Sequence, residues 1–308
     1  MILPSGFVRL LEDEFVKQVK AFARLPHTSS ATWHQQKLAE HKRDWLTIYS
    51  DNSCFVCCGS RPQYGLSCGH TVCDNCVRRL GAKTDAWAFA VDRCFLCRLE
   101  TPGVSIKVRP PTATVRLLSI DGGGVRGIIP LVFLQDLEEK IGLPYPVQEN
   151  FHYIIGTSIG QCGFIKESRP KTDSPCLGGI IALALGQKGW TVEDCIDFCE
   201  RMAKVAFQQS DHSHLRWIYY LYALLRSLIT DGIYPAQKLE AVLQEVFDDK
   251  KILDCSSAAA MGILLGITVT SMKPEPFIFT NYNGLGNRDD KKYKEYGILL
   301  GNVLVWEM

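Results

Sequence analysis

Two constellations of residues in this chain could do chemistry. The first pairs Asp121-Gly122-Gly123-Gly124-Val125-Arg126-Gly127 with Gly156-Thr157-Ser158-Ile159-Gly160. Consecutive glycine amides can aim several N–H donors at one oxygen, and a helix starting behind them adds the positive end of its dipole. A serine between glycines, just after an apolar strand, has the pattern of a nucleophile on a sharp strand-to-helix turn. Together they are the parts of a serine acyl hydrolase. Ser158 would attack, and the amides of Gly122, Gly123 and Gly124 would hold the oxyanion. Gly-x-Ser-x-Gly alone is a weak signal. The apolar strands that precede both motifs, Val115–Ile120 and Tyr153–Ile155, strengthen it. The alternative is a phosphate-binding loop, but the Gly-Lys-Ser/Thr ending of such loops is missing. So is a Gly-x-Gly-x-x-Gly followed by an acidic residue about twenty positions on.

The second constellation is Cys54, Cys57, Cys68, His70, Cys73, Cys76, Cys94 and Cys97. Cysteines two residues apart sit on knuckle turns whose thiolates converge on one ion. Three such pairs and the Cys68-x-His70 pair supply two tetrahedral zinc ions with structural roles. Cys58 is left as a spare thiol. The chain has 13 cysteines and no recognisable secretion signal, which favours metal over disulfides.

The elements that must carry these groups follow from periodicity. Residues 1–50 are charged and helical in pattern and carry no nameable site. Residues 51–100 hold the metal-ligand run, and 101–114, with Pro102, Pro110 and Pro111, suit a linker. From 115 to 308 buried strands alternate with amphipathic helices, which predicts an α/β layer fold. Helices are predicted over 130–141, 192–206 and 235–247, and strands over 261–270 and 276–280. A net charge of +1 gives no global pull toward nucleic acid or anionic membrane. The N-terminus lacks a basic start with an apolar core, and no apolar run reaches about 18 residues. The longest, 217–229, is interrupted by Arg226 and reads as a core or interfacial helix. A cytoplasmic location is the expectation.

The cysteine spacing resembles the RING finger, whose two zincs are bound in cross-brace order. That resemblance implies one site from Cys54, Cys57, Cys73 and Cys76 and another from Cys68, His70, Cys94 and Cys97. It also implies a possible ubiquitin-conjugating partner, with Phe55, Val56, Trp87 and Arg98 at the positions of ligase features. The usual proline of the last pair is replaced by Phe95-Leu96.

The glycine loop and the serine motif together resemble patatin-like phospholipases. The likeness extends through 179–186 (Gly-Ile-Ile-Ala-Leu-Ala-Leu-Gly), 189–195 and Phe279-Thr280-Asn281-Tyr282-Asn283. A RING module ahead of a patatin-like domain looks like a class of fungal multidomain proteins. The resemblance implies a three-layer α/β/α core and a lipid ester or phospholipid substrate, with peripheral membrane contact. It implies a Ser-Asp dyad, so no histidine is expected in catalysis: His152 reads as packing, and His212 and His214 as a solvated turn. The alternative is a RING-type ligase or interaction module on a degenerate hydrolase scaffold.

Two departures from the family pattern carry expectations. Residues 161–177, polar and holding two prolines, intervene between the serine motif and the helix that should follow it. They have the length of a short translated intron; a genuine surface insertion is the alternative. They are expected to separate the nucleophile from the helix start. The family's catalytic aspartate lies in a later Asp-Gly-Gly or Asp-Gly-Ala that this sequence does not reach. The dyad aspartate is therefore unassigned, with Asp231 of Asp231-Gly232 the one substitute after the serine, and the 308-residue chain is expected to be impaired.

Overall fold

The computed structural model describes residues 5–122, 128–142, 144–161, 177–207, 236–248, 250–270 and 276–282. It is a mixed α/β fold with two hydrophobic cores.

The chain opens with helices α1 (Ser5–Ala23) and α2 (Ser30–Glu40). Ser29 caps α2 by accepting a 3.1 Å hydrogen bond from the Thr32 amide. The cysteine-rich part follows as short pieces: β1 (Tyr64–Gly65), β2 (Thr71–Val72), α3 (Asp74–Leu80), β3 (Ala82–Lys83), β4 (Ala88–Ala90) and β5 (Ser105–Lys107). β1 and β2 form a hairpin, and β3, β4 and β5 an antiparallel sheet. Part of the range expected as a linker, 105–107, is thus a strand of this sheet. The core here is made of ligand cysteines with Val56, Val72, Val77, Phe89, Leu96 and Ile106. So few apolar side chains on such short elements need another cross-link to hold them.

The second part is a four-stranded sheet in the order β6 (Leu117–Ile120), β7 (Tyr153–Gln161), β8 (Leu264–Thr270), β9 (Pro276–Thr280). β6, β7 and β8 run parallel and β9 antiparallel. Helices α4 (Ile128–Ile141), α5 (Leu177–Leu183), α6 (Val192–Phe207) and α7 (Ala236–Phe247) connect or cover the strands, and the short α8 (Ser257–Met261) leads into β8. α6 begins with a reciprocal cap: Thr191 Oγ1 accepts from the Asp194 amide, and Asp194 Oδ2 accepts from the Thr191 amide, both at 3.1 Å. Its buried Val192, Cys195, Phe198, Cys199 and Met202 recur at helical spacing. The core joins Ile120, Ile154, Leu265 and Ile267 of the sheet to Ile181 and Leu185. The predicted strand 261–270 is shortened at its start, because α8 runs to Met261 and Gly262 ends it in a left-handed conformation.

The two parts are bonded to each other. The Gly65 amide donates to Leu253 O at 2.8 Å, and the Cys255 amide donates to Gly65 O at 2.7 Å. Adjacent residues of α8 serve different cores: Ala258 belongs to that of the sheet and Ala259 to that of the cysteine-rich part.

Candidate functional site

The eight metal-ligand candidates gather into two groups, Cys54, Cys57, Cys73, Cys76 and Cys68, His70, Cys94, Cys97. Within each, the ligand atoms lie within 4.8 Å of one another. These are the same two groups that the cross-brace order implies. Cys57 Sγ lies 3.7 Å from Cys73 Sγ, and Cys54 Sγ 3.8 Å from Cys76 Sγ. For metal–sulfur bonds of about 2.3 Å, the edge of a tetrahedron is about 3.8 Å, so the spacing fits a tetrahedral ion. Crowded thiols share charge unevenly. Hydrogen bonds from Cys73 and Cys76 hold the Cys54 thiol at about 3, against burial. Hydrogen bonding to Cys94 first, and to His70, holds Cys68 at about 4, again against burial. Cys76 and Cys94 are pushed up by the same contacts. Thiolate character built into each cluster is what a soft cation requires.

His70 is oriented for its role. Its Nδ1 lies 3.4 Å from Cys68 Sγ, while Nε2 donates to Trp45 O at 2.8 Å. That second bond fixes the tautomer that leaves the Nδ1 lone pair toward the cysteines. Tyr49 stacks on the ring at 4.8 Å between centroids. On the other side His34 of α2 bonds to Val56 O, inside the first knuckle, and Gln35 Nε2 donates to Leu80 O at 3.2 Å. Residues 1–50, read as siteless from the sequence, thus hold both the first knuckle and a ligand histidine. Trp45 acts through its backbone carbonyl, which no side-chain pattern announces.

At the sheet, β6 and β7 pair in register from Leu117↔Tyr153 to Ile120↔Gly156. Asp121 and Gly122 therefore leave β6 beside Thr157 and Ser158 of β7. Gly123, Gly124 and Asp231 lie outside the described residues, as do His212, His214, 217–229 and 162–176. The sharp turn expected at Ser158 is not what β7 does: the strand runs on to Gln161. Its pairing with β8 jumps from Thr157↔Thr268 to Gln161↔Thr270, so the stretch with Ser158 is bulged.

The helix after the insertion is nevertheless not displaced. A Cβ on Gly178 of α5 would lie 2.8 Å from each of the carbonyl oxygens of Ile120, Asp121 and Thr157. A Cβ on Gly156 would strike Gly178 O and lie 2.8 Å from Ala182 Cβ. These paired glycines let the helix start touch both strand ends. The expected separation of helix and strand is thereby overturned. α5, which begins at Leu177, starts beside Thr157.

His152 sits at the opposite, N-terminal end of β7, where Nδ1 accepts a 3.3 Å bond from the Arg116 amide. Cys58 is exposed, and burial with the neighbouring thiolates raises its thiol.

The chain is similar to phospholipases. It is 28% identical over 193 residues to "Phospholipase A I" of Arabidopsis thaliana, covering 58% of this chain and 13% of that protein. It is 24% identical over 174 residues to human "Calcium-independent phospholipase A2-gamma", covering 54% of this chain and 18% of that protein. The chain thus spans less than a fifth of the length of these phospholipases. No protein-family model and no solved structure matches it. Among the described residues, no helix is long and apolar enough to cross a membrane.

Proposed function

We propose that the chain carries a patatin-like lipid acyl hydrolase on a three-layer α/β/α core, joined to a RING-type module that holds two structural zinc ions. The observation that carries the hydrolase reading is the meeting of three backbone ends: Asp121-Gly122 leaving β6, Thr157-Ser158 in β7, and the start of α5 against both. The phospholipase relatives give the substrate class, a phospholipid or other lipid ester. In this reading Ser158 Oγ attacks the acyl carbonyl, the amides of Gly122, Gly123 and Gly124 take the oxyanion, and the alcohol leaves with the proton. Water then releases the fatty acid from the acyl-enzyme. The base is the open part of the dyad, and Asp231 is the candidate within this sequence.

Zinc is the ion that four thiolates, or three thiolates and an imidazole, at tetrahedral spacing favour. The module's role in this reading is structural. Of the residues at ligase-like positions, Val56 is buried, whereas Phe55, packed on Trp45 at 6.1 Å, and Trp87, under Arg78, are half-buried. A cytoplasmic location accords with zinc thiolates kept reduced.

The test is fluorophosphonate labelling and phospholipid hydrolysis by the zinc-loaded chain, beside a variant lacking 161–177. Labelling of Ser158, faster in the shortened variant and lost in Ser158→Ala, is the expected result. Equal labelling of Ser158→Ala would refute the nucleophile. Turnover at ordinary enzyme rates that Asp231→Ala abolishes would make Asp231 the base and remove the expected impairment.

A further inference from the structure

A cleft of about 390 Å³ lies where the cysteine-rich part meets the sheet. Tyr64 and Arg78 line it from one side, Lys107 and Arg109 from the strand end between the parts, and Asp254 and Tyr282 from the other. Lys107 and Arg109 are exposed, and so is Arg116, whose amide is bonded to His152, the residue whose carbonyl accepts from the amide of cleft-lining Leu264. Among the described residues, no carboxylate oxygen comes within 4.0 Å of any of these three cations. The two carboxylates on the cleft wall, Asp74 and Asp254, each hold a hydrogen-bond donor of their own. Asp74 accepts a 2.8 Å bond from the Tyr64 hydroxyl, and Asp254 accepts a 2.9 Å bond from the Lys251 amide.

The cations act together on one neighbour. His152 is bonded to the Arg116 amide, and the Arg116 guanidinium lies 3.5 Å from its Nε2. Burial, then Arg116, Arg109 and Lys107, press its charged form down. Lys107, Arg109 and Arg116 thus lie near enough to His152 to disfavour its charged form, in a chain whose net charge is only +1. The patch is set at the N-terminal edge of the parallel strands. Ser158 lies six residues further along β7, about 20 Å away at roughly 3.3 Å per residue. A ligand held here is not the acyl chain being cut at the other edge.

We propose that this cleft and its rim bind a phosphate-bearing anion of more than one negative charge, with Lys107, Arg109 and Arg116 as its contacts. A guanidinium fork matches phosphate oxygens in pairs, and an ammonium adds a point charge. Three convergent cations exceed what a single carboxylate would neutralise. The volume falls in the range of small-molecule sites, enough for a phosphorylated sugar or polyol. Such a group reaches a protein either free in solution or as a lipid headgroup. The inference rests on the cleft and its charges and does not depend on hydrolysis at Ser158.

The experiment uses the full zinc-loaded chain and two probes. Soluble inositol trisphosphate is titrated by calorimetry. Phosphatidylcholine vesicles, with and without a minor fraction of phosphatidylinositol bisphosphate, are followed by co-sedimentation. The expected result is saturable binding that weakens as salt rises. It falls about tenfold or more in Arg109→Gln/Arg116→Gln, while folding and zinc content stay those of the wild type. A control pair, Lys20→Gln/Arg24→Gln, removes the same charge from the distant α1 region and should leave binding unchanged. Binding of the soluble probe alone would assign a free phosphate ester, and vesicle binding that needs the inositide would assign a headgroup. No saturable binding of either probe at low salt overturns the proposal. So does an equal loss in the control pair, which would reduce the effect to net charge.

Discussion

Gly178→Ala is the smallest change that tests how the sheet and helix meet. The added methyl would stand 2.8 Å from three carbonyl oxygens at once, those of Ile120, Asp121 and Thr157. An ordinary carbon–oxygen contact is about 3.4 Å or more, so α5 or the strand ends must give by roughly half an ångström, in an interior packed as densely as a crystal. Backbone oxygens cannot rotate away as a side chain could. Overpacking of this kind costs about 1–3 kcal/mol, and three simultaneous backbone contacts favour the upper part, about 2–3 kcal/mol. At roughly 2–4 °C per kcal/mol for a chain of this size, the midpoint of thermal unfolding should fall by roughly 4–12 °C. Gly6→Ala is the control, because nothing lies within 4 Å of its added Cβ. It sits in a helix, where alanine is favoured over glycine. Calorimetry on the two zinc-loaded variants reads the difference. If Gly178→Ala melted with the wild type, α5 would not start against β6 and β7, and the basis for joining Gly122, Ser158 and this helix in one site would be gone.

Other outcomes follow from the same contacts. The chain should carry two zinc ions, and chelation should unfold 51–100 and also lower the melting point of the sheet, since Gly65 is bonded to Leu253 and Cys255. Metal analysis below one ion per chain, or an unchanged second transition, would contradict this. Deleting residues 1–50 should weaken zinc at Cys68, His70, Cys94 and Cys97 by about 10–100-fold, because His70 loses its Trp45 acceptor. Chelator competition that finds equal affinity would refute that role. Asp254→Asn should stabilise the protein at neutral pH. Burial raises the Asp254 carboxyl above its usual value, so its ionised form opposes folding once pH exceeds the folded pKa. Below the unfolded value, near 3.8, the carboxyl is protonated in both states and the gain vanishes. Denaturant titrations at the two pH values check the sign.

The shortened variant lacking 161–177 follows from a contrast between sequence and structure. The sequence identified those residues as an interruption but implied that they hold helix and strand apart. The structure keeps the two in contact, because Gly156 and Gly178 remove the side chains that would prevent it. At Ser158 β7 continues to Gln161 instead of turning.

The ligand sets were legible because soft ligands at knuckle spacing have few other uses, and a cross-brace order already states which pairs must meet. The helices over 192–207 and 236–247 were legible within a residue, because their apolar faces repeat at 3.6 and one carries its own cap. A parallel sheet could be expected from the alternation of strands and helices, but its order and register are properties of non-local pairing. The role of residues 1–50 was closed to sequence reading, since Trp45 contributes a backbone carbonyl, which every residue has whatever its side chain. The cationic cleft was equally closed. Lys107, Arg109 and Arg116 look like ordinary surface charges along the chain, and only the meeting of the end of β5, the start of β6 and the turn before β7 brings them near one another, with no carboxylate oxygen within 4.0 Å of them among the described residues. Periodicity and ligand type thus determined the elements and the two cysteine–histidine groups, whereas the tertiary structure decided every feature built from backbone groups or from charges distant in sequence.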